Sequence, residues 1–156
     1  MDAPGYCTRG CEMQGLSVFY NDTVTVYNRI LDVDSENETW LPSVLEKVNL
    51  VVTKGANVSK SGIEDADSAK LKIIAPVQLQ KYVQPKEWKC MDQQEKENHF
   101  TFTSGEDFYV EGDVSEEPIP EEGFYEYMRN RYDNVFRVTN VDHYKDIMPH
   151  LEVGGK

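Results

Sequence analysis

Apolar residues in this chain alternate with polar ones over short stretches, and the stretches are separated by Gly, Pro, Asn and Asp. A period of two places every second side chain on one face of an extended segment, which is the signature of a half-buried β-strand. In DTVTVY, Val24 and Val26 alternate with Thr23, Thr25 and Tyr27. The acidic turn DVDSENE follows. TWLPSVLEKVNLVVT comes next, with Val48, Leu50 and Val52 on one face and Pro42 marking an edge position or a strand start, so a hairpin with the preceding strand is expected.

Further along, KLKIIAP reads as a short strand stopped by Pro76, and the segment after it is mixed, with a helical turn opening near Pro85 and Glu87. HFTFTSGEDFYVEGD spells a β-hairpin, Phe100 and Phe102 on one arm, Phe108 and Val110 on the other, and Ser104-Gly105 at the turn. VFRVTNVDHY is a strand with Phe136 and Val138 inward, and HLEVGGK a last short strand ending in a Gly-Gly tail. A single helix is expected over about 120–132. Pro120 would stand at its first position, Glu121 and Glu122 at its positive end and Arg129 and Arg131 at its negative end, with Phe124, Met128 and Tyr132 buried.

Seven or eight short strands with one helix leave no crossovers for a parallel sheet. The expected fold is mainly β, a small antiparallel barrel or sandwich carrying that helix. Residues 1–15 lack periodicity and read as a flexible N-terminal arm, with one domain over 16–156. Residues 55–69, GANVSKSGIEDADSA, read as a long exposed loop in which Ile63 is the one bulky aliphatic residue.

Charge narrows the function. The chain has 28 acidic and 16 basic side chains, a formal charge of −12. Such a surplus repels phosphate and argues against tight nucleic-acid binding. No apolar run approaches the roughly 20 residues that span a bilayer, and the N-terminus lacks the apolar region of a signal peptide, so no membrane role is expected.

Catalytic chemistry has no visible footing. His99, His143 and His150 stand in no recognisable motif, and the hydrolase, metalloprotease and nucleotide-loop signatures are missing, so neither enzyme activity nor a cofactor is expected. Asp32, Asp34, Glu36 and Glu38 imitate the start of a calcium loop, but Asn37 replaces the bend glycine and Ser43 the bidentate acid; a solvated turn fits better than a metal site. Cys7, Cys11, Cys90 and His99 lack a usual zinc spacing, and an odd cysteine count suits a reducing compartment. Tyr20, Tyr27, Trp40, Tyr82 and Trp88 read as core or subunit interface rather than a ligand platform.

The order of segments carries more than any one of them. VTVYNRI is followed by ETWLPSVLEKVNLVVTKGANVSKSGIEDADSAKLKIIAP, then FTFTSGEDFYVEGD, then VFRVTNVDHYKDIMPHLEVGGK. This order resembles a family of small head and neck proteins of tailed phages and prophages of Gram-positive bacteria. Those proteins similarly open on a TVYN strand, carry a GLxxAD-like loop echoed by Gly62, Ala66 and Asp67, include a GD-x-hydrophobic-V-x-G hairpin, and often end in HW-x-V-x-G-K, matched by His150, Val153, Gly155 and Lys156. Leu151 stands where the family has Trp, and Glu106 is inserted before Asp107 of the hairpin.

The resemblance implies a virion protein of the phage neck, assembled in the host cytoplasm: a head-closure or stopper-like connector forming a ring between the portal or adaptor and the tail. Its expected partners are copies of itself, the portal or adaptor, and tail-terminator or tail proteins, with DNA passing by non-adhesive contact. Gly62, Ile63, Glu64, Asp65 and Asp67 are then candidates to line or gate the channel, and Tyr6, His150, Leu151, Val153, Gly155 and Lys156 to touch neighbouring subunits. A tail-terminator or tail-tube subunit is the nearest alternative. A small ligand-binding β-domain, stacking ligands on Trp40 and Trp88, is the alternative from another class.

Overall fold

A computed structural model describes residues 20–65 and 67–156, without the side chains of Asn57, Glu64 and Asp65. The expected arm over 1–15 and the candidate contact Tyr6 lie outside the described residues, as does Ala66. Eight strands follow in chain order: β1 (Asp22–Leu31), β2 (Glu38–Thr53), β3 (Ala56–Ser59), β4 (Gly62–Asp65), β5 (Ser68–Ile73), β6 (Phe108–Glu111), β7 (Val135–Tyr144) and β8 (His150–Gly155). Six close into an antiparallel barrel in the order β1-β2-β5-β8-β7-β6, while β3 and β4 pair only with each other. The expected mainly-β barrel is therefore present.

The barrel closes because β2 serves two neighbours. Its first part pairs with β1 (Tyr27 opposite Pro42, Val24 opposite Leu45) and its last five residues pair with β5 (Leu50 opposite Leu71). Between the two, Lys47 takes φ 56 and the register slips between Asp22 and Val24, a bulge that turns the strand. Pro42 lies in the stretch paired on one side only, where a residue without an N–H is tolerated.

Inside the barrel, the alternation read from β1 holds: Val24 and Val26 pack with Leu45, Val48, Leu71, Ile73, Tyr109, Phe136, Val138, Leu151 and Val153. Outside it, Tyr27, Trp40, Phe108, Val110 and Val135 form a second core under helix α4 (Phe124–Arg131), which contributes Phe124, Tyr125 and Met128. Burial of each such side chain contributes about 1.5–3 kcal/mol. Both faces of β1 and β6 are thus covered, and of the five aromatics read as core or interface Tyr27, Trp40, Tyr82 and Trp88 are buried while Tyr20 is half-buried.

Helix α4 begins later than expected. Gly123 at its N-cap has φ 66, a left-handed conformation that an α-helix running from Pro120 could not pass through. Glu117 instead anchors the preceding connection to the helix, accepting from the Tyr127 and Tyr132 hydroxyls (3.0 and 2.6 Å) and pairing with Arg131 at 2.7 Å. Three further helices, all short, are present among the described residues: α1 (Pro76–Lys81), α2 (Pro85–Lys89) and α3 (Gln93–Glu97). The helical turn expected near Pro85 and Glu87 is α2, whereas Pro76, read as ending a strand, opens α1, and α3 was not expected.

Three other expectations are corrected. Residues 55–69 are not a loop, because β3 and β4 form a hairpin in register (Val58 opposite Ile63) and β5 has already begun at Ser68. Nor do residues 100–110 form a hairpin, since β6 pairs with β1 and β7 and the segment before it is held by side chains. The Asn28 side-chain amide donates to the Thr101 carbonyl (2.6 Å) and its carbonyl accepts from the Thr101 N–H (3.3 Å), while Asp107 accepts from the N–H groups of Thr103 and Arg29 (2.7 and 2.8 Å). Those contacts satisfy backbone groups that a hairpin partner would otherwise have taken. Finally, Gly154 and Gly155 are not a free tail: both are buried within β8, paired across to β5 and β7.

Candidate interaction site

The antiparallel order gives the barrel two different ends. At one end lie the β1–β2 turn and the β7–β8 turn; at the other lie the β3–β4 hairpin and Lys156.

The hairpin end is built on a polar clasp. Asp67 accepts from the Gly55 N–H (3.0 Å) and pairs with Lys54 at 3.3 Å, closing the base of the hairpin. The Gly55 N–H and then Lys54 hold the Asp67 carboxyl below its ordinary value. Beyond the clasp the hairpin leaves the barrel, with Val58 80% and Ile63 75% exposed. These two aliphatic residues face each other across the strands, and Lys60 at the turn has no ion-pair partner among the described residues. Beside the clasp is a cleft of about 480 Å³ in which Lys54, Arg129 and Lys156 are nearly balanced by Asp67 and Asp133.

The opposite end carries a groove of about 780 Å³ between the β1–β2 turn and residues 119–123. Asp32 shapes that turn by accepting from the Asp34 N–H (3.1 Å) and the Ser35 hydroxyl (2.7 Å), so the acids of this run form a hairpin turn. Leu31, Trp40, Ile119 and Pro120 supply the groove's apolar wall, with Leu31 51% and Ile119 41% exposed. Glu36, Glu121 and Glu122 rim it without ion-pair partners among the described residues, while Glu38 is paired to Arg29.

The proposed contact residues of the C-terminal strand separate. Leu151 and Val153 fill the barrel interior and Gly155 is walled in by Tyr109 and Phe136, so none of the three presents a side chain to a neighbour; only His150, half-buried, and Lys156 reach the surface. His150 stacks on Tyr144 with centroids 4.5 Å apart and lies 3.4 Å from Glu152. Burial would raise the Glu152 carboxyl, but Lys70, Lys72 and His150 together hold it below its usual range. Of the candidate channel residues, Gly62 supplies the hairpin turn with φ 137, Ile63 is exposed and Asp67 is in the clasp; the Glu64 and Asp65 side chains lie outside the described residues.

Sequence reasoning missed Leu31, Val58, Lys60 and Ile119. For Leu31, Val58 and Ile119 the available signal was an aliphatic side chain next to or within a polar stretch, where a core residue has no place; Lys60 carried no such signal.

Among the described residues, no group of three or more His, Cys, Asp or Glu is placed to hold a metal ion, and no helix is long and apolar enough to cross a membrane. No curated protein and no solved structure matches the chain. A family model does match, over residues 19–156, which takes in the whole barrel, the hairpin and the groove. The chain therefore belongs to that family, DUF6751, whose description is a family of unknown function.

Proposed function

We propose that the chain is a ring-forming structural subunit of the neck of a tailed phage or prophage particle, a head-closure connector between portal or adaptor and tail, with no catalytic step of its own. The observation that carries this proposal is the β3–β4 hairpin. A two-stranded hairpin alone in water is only marginally stable, and this one stands off the barrel with an aliphatic pair exposed on it. Such an element is completed by a neighbour. Repeating one modest contact around an axis gives a ring considerable strength without a large interface in any one copy.

The resemblance of its motif order to that of phage neck proteins supports the location, and the charge of −12 suits a conduit through which DNA passes without adhering. The ring would meet the portal or adaptor on one side and tail proteins on the other. Cryo-electron microscopy of the head-to-tail junction of particles from a host carrying this gene tests the proposal. Ring density fitting this barrel between portal and tail is the expected result; density along the tail tube, or particles lacking the chain, would refute it.

A further inference from the structure

Successive residues of a strand aim their backbone N–H and C=O groups to alternate sides. The Thr23 carbonyl accepts from the Gly112 N–H (2.7 Å) and the Arg29 N–H donates to Asp107 (2.8 Å), so the odd-numbered residues of β1 turn toward β6 and the even-numbered ones toward β2. Val24, Val26 and Asn28 stand opposite Leu45, Ser43 and Leu41. Trp40, Pro42 and Val44 therefore aim their backbone groups away from β1, where no strand meets them, because β5 pairs with β2 only from Asn49 onward. The N–H groups of Trp40 and Val44 and the carbonyls of Trp40, Pro42 and Val44 are left on an open edge, Pro42 having no N–H to offer.

That edge forms one wall of a trough of about 510 Å³, and α1 with residues 97–100 forms the other. At one end of the trough the Gln78 side-chain amide stands where a neighbouring strand would, donating to the Glu46 carbonyl, while its own buried oxygen has no donor. Val77, 65% exposed, supplies apolar surface together with Pro42 and Val44. The charged residues of the lining are Glu46, Glu97 and Asp113 against Lys81 alone. Unpaired edge groups are a template for another extended backbone, and the side chains around them select its sequence. We infer that the trough receives an extended, basic segment of a partner protein, which adds to β2 as a strand along residues 40–46.

Charge decides whose segment this is. A second copy brings a charge of −12, and residues 1–19 of the chain itself carry Asp2 and Glu12 against Arg9, so neither complements a lining of three carboxylates and one ammonium. The closely spaced cations of the chain, Lys70 and Lys72, Lys86 and Lys89, Arg129 and Arg131, are built into β5, α2 and α4, and Lys60 shares its hairpin with Glu64 and Asp65. A foreign segment with Lys or Arg alternating with aliphatic residues meets both requirements, main chain against the open edge and cations against Glu46, Glu97 and Asp113. The trough would take such a segment wherever in a particle the chain resides.

Titrating the isotope-labelled full chain with a synthetic peptide of four Lys-Val repeats, followed by amide NMR, tests this contact. Saturable shifts concentrated in residues 40–46 and α1 are the expected result. A peptide of four Lys-Pro repeats, equal in charge but poor in N–H donors, and one of four Glu-Val repeats should each bind at least about tenfold more weakly. The Lys-Val peptide should lose about as much against the double variant Glu46→Lys/Glu97→Lys, whose altered side chains are exposed and whose far-UV spectrum should match wild type. No shifts at residues 40–46 with millimolar peptide, equal binding of the Lys-Pro peptide, or unchanged binding by the double variant would each overturn the added strand. Shifts of the same residues on concentrating the chain alone would give the edge to a second copy and overturn it as well. None of these outcomes bears on ring density at the neck, which judges the connector proposal by itself.

Discussion

Gly154 and Gly155 are adjacent in β8, yet alanine at the two positions should have very different costs. A Cβ on Gly155 would lie 2.5 Å from the Tyr109 hydroxyl oxygen and 2.7 Å from the Phe136 Cβ. Carbon contacts are comfortable at about 3.5–4.0 Å, so the encroachment is on the order of 1 Å from two directions. Neither neighbour can yield. Tyr109 is buried with its hydroxyl donating to the Val153 carbonyl at 3.3 Å, and the Phe136 Cβ is fixed to a strand paired with Tyr109 itself.

Overpacking of this kind costs about 1–3 kcal/mol, and a site closed on two sides belongs at the upper end. At about 2–4 °C per kcal/mol for a domain of this size, Gly155→Ala should lower Tm by about 6–12 °C. A Cβ on Gly154 meets the Asn140 Oδ1 and, at 3.0 Å, the Thr139 hydroxyl, the ends of exposed side chains that can rotate away. Gly154→Ala should therefore stay within about 1 kcal/mol of wild type, helped by the lower entropy of its unfolded chain. Thermal melts followed by far-UV circular dichroism measure both. Equal shifts for the two variants, or a Gly155→Ala shift below about 2 °C, would refute this account of the barrel wall.

Burial pushes the Asp107 carboxyl up to about 6, against the pull of the Arg29 and Thr103 N–H groups. Its folded value lies above its unfolded one, so the native state binds the proton first and Asp107 favours folding more as pH falls from about 6 to about 4. Relative to Asp107→Asn, wild type should gain about 3 kcal/mol over that window, at about 1.4 kcal/mol per pH unit, read from urea midpoints at pH 7 and pH 4; a constant difference would count against it. Asn28→Ala leaves the buried Thr101 N–H and carbonyl without partners and should cost about 2–4 kcal/mol, with amide exchange accelerating over residues 100–103 ahead of the barrel strands. Gly123→Ala meets no atom within 4 Å, so its cost is the strain of φ 66 alone, about 1–2 kcal/mol by chemical denaturation; a larger loss would mean that helix α4 itself had shifted.

Elements whose cause is local could be read along the chain. Alternation in β1, β7 and β8, and the acidic turn between β1 and β2, depend on side chains a few residues apart. The false hairpin at 100–110 had equally good alternation, but Asn28 reaches it from 73 residues away and Arg29 meets Asp107 from 78, and no local pattern carries such contacts. Gly154-Gly155 likewise resembled a tail because the reason for glycine lies on Tyr109 and Phe136. As for the candidate site, Ile63 was visible as an oddity in a polar segment, whereas the groove joins residues 31–40 to 119–123 and exists only once the barrel has closed.

The 16-residue β2 begins at the acidic groove, turns at Lys47 and ends where the hairpin departs. One uninterrupted run of peptide bonds thus joins the groove at one end of the barrel to the hairpin at the other. A force pulling those two ends apart would be carried as tension in covalent backbone, and the ladder hydrogen bonds of the barrel would not have to shear first.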